Sequence, residues 1–320
     1  MHQDYVFLFA KGINEDSLMT ICTQRINCNY EVQLENVSCD FCGCSEHKVL
    51  FYQKDNYINA FRQFDYAFPI VSCRDCGLIF VNPRPTKETI GFFYPDTYHD
   101  ERRIETMAER YEQQGKFLPD LKDGHKFLDV GCAKGDFLAW LSSYPPQALM
   151  YQSIEMFGCD AYSGGVREEY AVHFTGAALP DCQYPDNYFN CVTAWAVLEH
   201  VHTPKLYFEE IFRILKPTGS FVFLVPNFNS LMCRVAQRDD IARHIYQFTP
   251  QSIVNYLTKS GFRSWNMHFD DSIFDGRGTG ALSSLFGYSR FISWLDGLLF
   301  SKHWETLFKV SGTLVIVAQK

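Results

Sequence analysis

The stretch Phe127–Phe137, FLDVGCAKGDF, decides the fold of the larger part of this chain. An apolar run that contains Asp129 is followed by two glycines, Gly131 and Gly135, and then by a helix-forming segment. This order predicts a buried strand, a tight turn and a helix whose first backbone N–H groups are available to bind a ligand. The stretch alone leaves open whether that ligand is a dinucleotide, a triphosphate or another molecule.

Strand-like and helical segments alternate from about residue 124 onward. The strand-like runs are KFLDVG, SIEMFGCD, YAVHFTG, FNCVTAWAV and GSFVFLVPN, and helical patterns such as KLYFEEIFRILK lie between them. This alternation predicts an α/β fold with a doubly wound, mostly parallel, Rossmann-like sheet. Ligands of such sheets bind at the C-terminal ends of the strands.

The glycine spacing excludes two common phosphate-binding loops. A P-loop requires G-x-x-x-x-G-K-[ST], but Gly131 and Gly135 are one residue too close and Asp136 stands where the lysine is needed. A dinucleotide fingerprint requires glycine at 133 and 136, and a carboxylate at 136 would repel a pyrophosphate. An acid at 129 beside free N–H groups suits a ligand with an ammonium, a carboxylate and a sulfonium but no phosphate. S-adenosylmethionine (SAM) fits that description.

The segment FLDVGCAKG resembles the first motif of class I SAM-dependent methyltransferases, D-x-G-x-G-x-G, with Ala133 at the middle glycine. The later segments FGCD, IFRILKPTGSFVFLVPN and SGTLVIVAQK resemble the same family in register, so the resemblance spans roughly residues 124–320. It implies that Asp160 binds the ribose hydroxyls, with Glu155 as the alternative acid, and that apolar walls hold the adenine. The implied cofactor-binding residues are Asp129, Gly131, Cys132, Ala133, Gly135, Asp160, Ala178, Leu179 and Trp195.

Two C-x-x-C pairs stand upstream, Cys39 with Cys42 and Cys73 with Cys76. Pairs of this kind can place four thiolates around one tetrahedral Zn²⁺ ion, and a glycine follows each pair, as a tight turn requires. Cys44 could take the place of Cys42 in the ligand set. Two disulfides or two redox motifs are the alternatives. Disulfides are disfavoured because no export signal is apparent, and a redox motif would need no matching second pair.

The cysteine pairs and the following GLIFVNPRP resemble the N-terminal zinc ribbon of a methyltransferase subfamily from glycan, nucleotide-sugar and secondary-metabolite pathways. The expected organisation is an N-terminal extension (1–38), a zinc-ribbon module (39–86), a helical linker (87–123) and a SAM-binding methyltransferase domain (124–320). Sugar C-methyltransferases of this type carry a further C-terminal domain, for which the chain is too short. The expected reaction is therefore O-methylation of a sugar, a glycan precursor or a small natural product.

Methyl transfer to a hydroxyl requires a group that removes its proton, and histidine is the usual choice. The resemblance points to His200, in LEHVHTP after the fourth strand, and to His244, in RHIYQFT on a loop that covers the acceptor pocket. Tyr246 could hydrogen-bond the acceptor from the same loop. Local packing is the competing interpretation of each residue, and the sequence does not choose between the two histidines.

The composition limits the kinds of molecule that the protein can be expected to bind. A formal net charge of −8 argues against broad nucleic-acid binding, and no stretch is apolar enough for a membrane span. We therefore expect a cytoplasmic enzyme with a small-molecule or glycan acceptor, in which the apolar segment 280–300 packs in the core or in a homodimer. One alternative is an RNA methyltransferase that grips its substrate through the zinc module. Another is an inactive zinc-ribbon interaction protein, which the retained Asp129 and Asp160 disfavour.

Overall fold

The computed structural model describes residues 21–25, 31–54, 66–94, 104–143, 153–161, 165–168, 170–230, 241–270 and 312–320. The apolar segment 280–300 and much of the expected extension 1–38 lie outside these residues. The chain divides into a smaller unit, Met1–Pro95 with Arg238–Tyr246, and a larger unit, Asp96–Gln237 with Gln247–Lys320. In the part of the chain that is described, no helix has the length and apolar character needed to cross a membrane.

The smaller unit is built from two small sheets. One has the strand order β1-β2-β6 and the other β12-β5-β4-β3. The strands are β1 (Ile21–Arg25), β2 (Glu31–Glu35), β3 (His47–Lys54), β4 (Ala67–Cys73), β5 (Ile79–Val81), β6 (Arg84–Pro85) and β12 (Tyr246–Gln247). A single turn of 3₁₀ helix, Ile90–Phe93, follows β6. The fully buried rings of Phe68 and Phe93 contact each other edge to face in a small apolar core.

The larger unit contains a seven-stranded sheet with the order β13-β14-β11-β10-β7-β8-β9. Strands β9, β8, β7, β10 and β11 run parallel, and β14 is antiparallel to β11 and β13. The predicted mostly parallel sheet is therefore confirmed. The strands are β7 (Lys126–Val130), β8 (Glu155–Cys159), β9 (His173–Thr175), β10 (Phe189–Trp195), β11 (Leu215–Pro226), β13 (Ser264–Phe269) and β14 (Thr313–Gln319).

Four helices accompany this sheet among the described residues. They are α1 (Ile104–Gly115), α2 (Asp136–Ser143), α3 (Pro204–Ile214) and α4 (Pro250–Ser260). The sequence specifies the ends of α4: Thr249 and Ser252 form a capping box, and Gly261 ends the helix in a left-handed conformation. The central strands β7, β10 and β11 are largely buried, as expected for near-continuous apolar runs that are covered on both faces.

The order of the strands determines where a ligand can bind. The chain leaves β7 toward β8 and β9 at one edge and then returns to place β10 on the other side of β7. The connections that follow β7 and β10 therefore diverge, and they leave a crevice at the C-terminal ends of these two strands. This topological switch point is the general ligand-binding position of open α/β sheets.

Candidate cofactor and metal sites

The loop between β7 and α2 has a left-handed backbone at three positions. The φ angles of Gly131, Ala133 and Gly135 are 71°, 48° and 79°. A Cβ atom on Gly131 would lie 2.5 Å from Val197 Cγ2, and one on Gly135 would lie 2.7 Å from Val166 Cγ1. At both positions a side chain would clash with a neighbouring valine, and the backbone conformation itself favours glycine. Ala133 takes up the same conformation at a cost of about 1 kcal/mol, which is the kind of backbone strain found at ligand sites.

Two acids lie at the ends of neighbouring strands beside this loop. Asp129 is buried in β7 and accepts a hydrogen bond from Thr193 Oγ1 at 2.7 Å. Burial raises the pKa of Asp129 to about 7. Asp160 follows β8 and accepts a hydrogen bond from the Ala133 backbone N–H at 2.9 Å. Thr193 is absent from the residues predicted from the sequence, because its role depends on the register that pairs it with Asp129 across β7 and β10.

The remaining residues predicted to bind the cofactor have different surroundings. Ala178 and Leu179 begin a short 3₁₀ turn after β9, and Leu179 is fully buried. Cys132 is buried, and its sulfur packs where a Cβ on Gly158 of β8 would stand. The Cys132 thiol thus belongs to the interior, and only the backbone of this residue can face a ligand. Trp195 ends β10 and contacts the Phe137 ring edge to face at 5.6 Å.

The turn that follows β10 packs on the glycine loop, because Val197 contacts Gly131. Ala196 in this turn is a second alanine with a left-handed backbone, with φ at 56°. Glu199 is 1% exposed, and neither of its carboxylate oxygens has a hydrogen-bond partner in the described part of the chain. Burial raises the pKa of Glu199 to about 8. His200 Nε2 lies 4.0 Å from Glu199 Oε1.

His244 and Tyr246 belong to the smaller unit. Tyr246 is buried, and its hydroxyl accepts a hydrogen bond from Arg84 Nη1 at 3.0 Å. Arg84 also forms a buried ion pair with Glu35, at 2.8 Å between Nε and Oε1. Burial raises the pKa of the Tyr246 phenol. Tyr246 therefore joins β12 to β6 through Arg84, whereas the half-buried His244 precedes β12.

The smaller unit gathers the four thiols of the two C-x-x-C pairs. The sulfur atoms of Cys39, Cys42, Cys73 and Cys76 all lie within 4.8 Å of one another. The distance from Cys39 Sγ to Cys76 Sγ is 3.4 Å, and that from Cys42 Sγ to Cys73 Sγ is 3.5 Å. Four sulfurs bound to one Zn²⁺ at about 2.3 Å would be about 3.8 Å apart. The spacing and the all-thiol chemistry therefore fit a tetrahedral zinc site.

Matching turns hold the two cysteine pairs. The Gly43 N–H donates to the Cys39 carbonyl at 2.8 Å, and the Gly77 N–H donates to the Cys73 carbonyl at 3.1 Å. Both glycines have positive φ, as the tight turns require. Cys44 is not among the four clustered thiols. Its sulfur accepts a hydrogen bond from the Glu46 backbone N–H at 3.3 Å. The geometry thus favours Cys42 over Cys44 as the fourth thiol.

Comparison with known proteins gives the family. A family model described as a methyltransferase domain matches residues 99–266, which is more than half of the chain. The chain belongs to the class I SAM-dependent methyltransferases. The matched residues contain the glycine loop, Asp129, Asp160 and the turn after β10, so the family assignment covers the site described above.

Curated relatives match only parts of the chain. A sterol 24-C-methyltransferase, ERG6A of Gibberella zeae, is 33% identical over 107 residues, which is 32% of this chain and 27% of the relative. Methyltransferase GfsG of Streptomyces halstedii is 28% identical over 145 residues, which is 41% of this chain and 51% of the relative. The chain thus spans between about a quarter and a half of the length of these two relatives.

Among solved structures, the chain is similar to one in the complex between the Haloferax volcanii Trm112 methyltransferase activator and a methyltransferase. The TM-score is 0.50 at 18% sequence identity, and the match covers 70% of this chain and 96% of that chain. This likeness agrees with the Rossmann-like methyltransferase fold of the larger unit.

Proposed function

We propose that this protein is a methyltransferase that transfers the methyl group of SAM to a hydroxyl of a sugar, a glycan precursor or a small natural product. The observation that carries the proposal is the edge of the large sheet where Asp129, the glycine loop and Asp160 meet. The proposed acceptor class rests on the resemblance of the zinc module to those of glycan and natural-product enzymes. The formal net charge of −8 disfavours the alternative acceptor, RNA.

The residues at this edge fit SAM, which supplies an electrophilic methyl group on a sulfonium when it is bound. The loop around Gly131 and Gly135 leaves N–H groups at the start of α2 for a carboxylate. Asp129, oriented by Thr193, suits an ammonium group. Asp160 follows β8, where it can accept hydrogen bonds from ribose hydroxyls. Ala178 and Leu179 supply apolar surface for the adenine.

His200 is proposed as the base that removes the proton from the hydroxyl to be methylated. It stands in the turn after β10, against the glycine loop through Val197, and its side chain is 17% exposed. An imidazole can remove a proton from a hydroxyl as the methyl group is transferred. His244 remains the second proposed base. For Tyr246, the buried contact with Arg84 supports a structural role in the smaller unit.

For the thiol cluster we propose one structural Zn²⁺ ion. Cys39, Cys42, Cys73 and Cys76 would fill all four positions of the metal. A closed site of this kind has no open position for water or substrate, so it stabilises the smaller unit and takes no part in the chemistry. We further propose that the enzyme is cytoplasmic, where the thiols remain reduced.

The test is calorimetric titration of the zinc-loaded protein with S-adenosylhomocysteine (SAH). We expect micromolar binding by the native protein and about 100-fold weaker binding by Asp160→Ala, because loss of a charged ribose contact costs about 1.5–3 kcal/mol. Asp120→Ala, at an exposed position of the same unit, is the matched control and should bind like the native protein. Absence of SAH binding by the folded native protein would refute the proposed function.

A further inference from the structure

Asp129, Asp160 and Glu199 lie at the C-terminal edge of the large sheet, and they differ in their partners. Asp129 accepts a hydrogen bond from Thr193, and Asp160 accepts one from the Ala133 backbone. Glu199 is 1% exposed, yet both of its oxygens are without a hydrogen-bond partner in the described residues. A buried carboxyl group that lacks partners is costly, so it calls for an explanation.

The position of Glu199 indicates which group could stabilise its carboxylate. Its turn contacts the glycine loop through Val197 and Gly131 and begins with the left-handed Ala196. Among the described residues of the larger unit, the charged or titratable groups that face Glu199 are His200 of the same turn, at 4.0 Å, and Arg110 of α1. Neither donates a hydrogen bond to the carboxylate. A cation held at the glycine loop would supply the missing charge, and the proposed cofactor carries a permanent one on its sulfonium.

We propose, on the basis of the proposed function, that Glu199 is the counter-ion of the cofactor sulfonium and the final acceptor of the proton that the substrate hydroxyl loses. In the cofactor-free protein the buried carboxyl group is protonated at neutral pH, because burial raises its pKa to about 8. A permanent cation nearby stabilises the carboxylate, so binding of SAM expels this proton to solvent.

With Glu199 as the final proton acceptor, the bonds and charges of the reaction balance. The bond between the acceptor oxygen and its hydrogen breaks, an oxygen–methyl bond forms and the sulfur–methyl bond breaks. The proton passes by way of His200 to the Glu199 carboxylate. The sulfonium and the carboxylate are thereby replaced by a neutral thioether and a neutral carboxyl group. Because the cation disappears during the transfer, Glu199 becomes more basic at the moment when the acceptor releases its proton.

The experiment measures protons released on binding and needs no acceptor. SAM and SAH are each titrated into the zinc-loaded protein at pH 7, in phosphate and in Tris, whose ionisation enthalpies differ. The two ligands share every titratable group and differ in the methyl group and its charge. We expect SAM to release about one proton more than SAH in the native protein. This excess should disappear in Glu199→Gln, which keeps the size of the side chain.

Controls make each outcome decisive. Glu209→Gln, on the exposed face of α3, should retain the excess proton, and Glu199→Gln should bind SAH within about twofold of the native protein if its fold is intact. The pH gives a second test: at pH 9 the carboxylate is already ionised, so the difference in excess between the native protein and Glu199→Gln should fall toward zero. Equal proton release by the two ligands at pH 7, or an excess that persists in Glu199→Gln, would overturn the inference. Failure of both ligands to bind would instead refute the proposed function.

Discussion

The two units of this protein each bring chemically similar side chains together, but the immediate surroundings of these side chains differ. In the smaller unit, four thiols approach one another within 4.8 Å around a common centre. In the larger unit, Asp129 and Asp160 lie at adjacent strand ends, and each accepts a hydrogen bond from the protein itself. The thiol cluster therefore has the geometry of ligands arranged around a cation. Asp129 and Asp160, in contrast, already have hydrogen-bond partners in the protein without any ligand.

The cores of the two units show the same difference. Strands β7, β10 and β11 form a continuous, largely buried layer in the larger unit. The smaller unit has short strands, and part of β3 is exposed at Val49, Leu50 and Tyr52. A small unit buries a smaller fraction of its surface, so it depends more on cross-links such as a bound metal. We therefore expect the two units to respond differently to the same treatment.

Metal removal should have the largest effect. Loss of a structural zinc removes on the order of 10 kcal/mol of binding free energy, so chelation or Cys39→Ser should unfold the smaller unit. Hydrogen exchange read by mass spectrometry should show loss of protection in β3 and β4 while β7, β10 and β11 stay protected. Cys44→Ser is the matched control and should resemble the native protein. Equal loss of protection in both units would contradict the comparison.

A test within the larger unit concerns the glycine loop. Gly131→Ala places a methyl group against Val197 in a left-handed backbone, so it should lower the free energy of unfolding by about 3 kcal/mol. Gly124 has a φ of +75°, and a Cβ added there would meet no atom of the described residues within 4 Å. Gly124→Ala should therefore cost only about 1 kcal/mol. Urea unfolding measures both, and equal costs would show that the contact with Val197 does not constrain the loop.

An effect of similar size is expected from pH. The pKa of Asp129 is raised from 3.8 to about 7 in the folded protein, so the folded state keeps a proton that the unfolded state has lost. The stability that this carboxyl group contributes is full below pH 4 and is lost as the pH rises to 7. Asp129→Asn should therefore be about 4 kcal/mol more stable than the native protein at pH 8 and about equal at pH 4. Denaturant midpoints at both pH values test this, and a difference that does not change with pH would contradict it.

Local patterns were enough to predict much of this protein. The alternation of segments predicted the parallel sheet, because strand and helix periodicities are local properties of the chain. The spacing of Gly131 and Gly135 after Asp129 pointed to SAM and to the methyltransferase family, both of which the family match supports. The roles assigned to individual residues at the site are still predictions, as are the four expected domain boundaries.

What the sequence by itself determined is which groups the site contains: a loop with obligatory glycines, acids at strand ends and two matched cysteine pairs. Only the tertiary structure decided which of the buried acids has no hydrogen-bond donor among the described residues. Thr193 reaches Asp129 across 64 residues of chain through strand register, and no comparable donor reaches Glu199 from the described residues. A charge is neutralised by whatever lies within a few ångströms, and distance in space between residues far apart in sequence is set by the packing of the whole sheet.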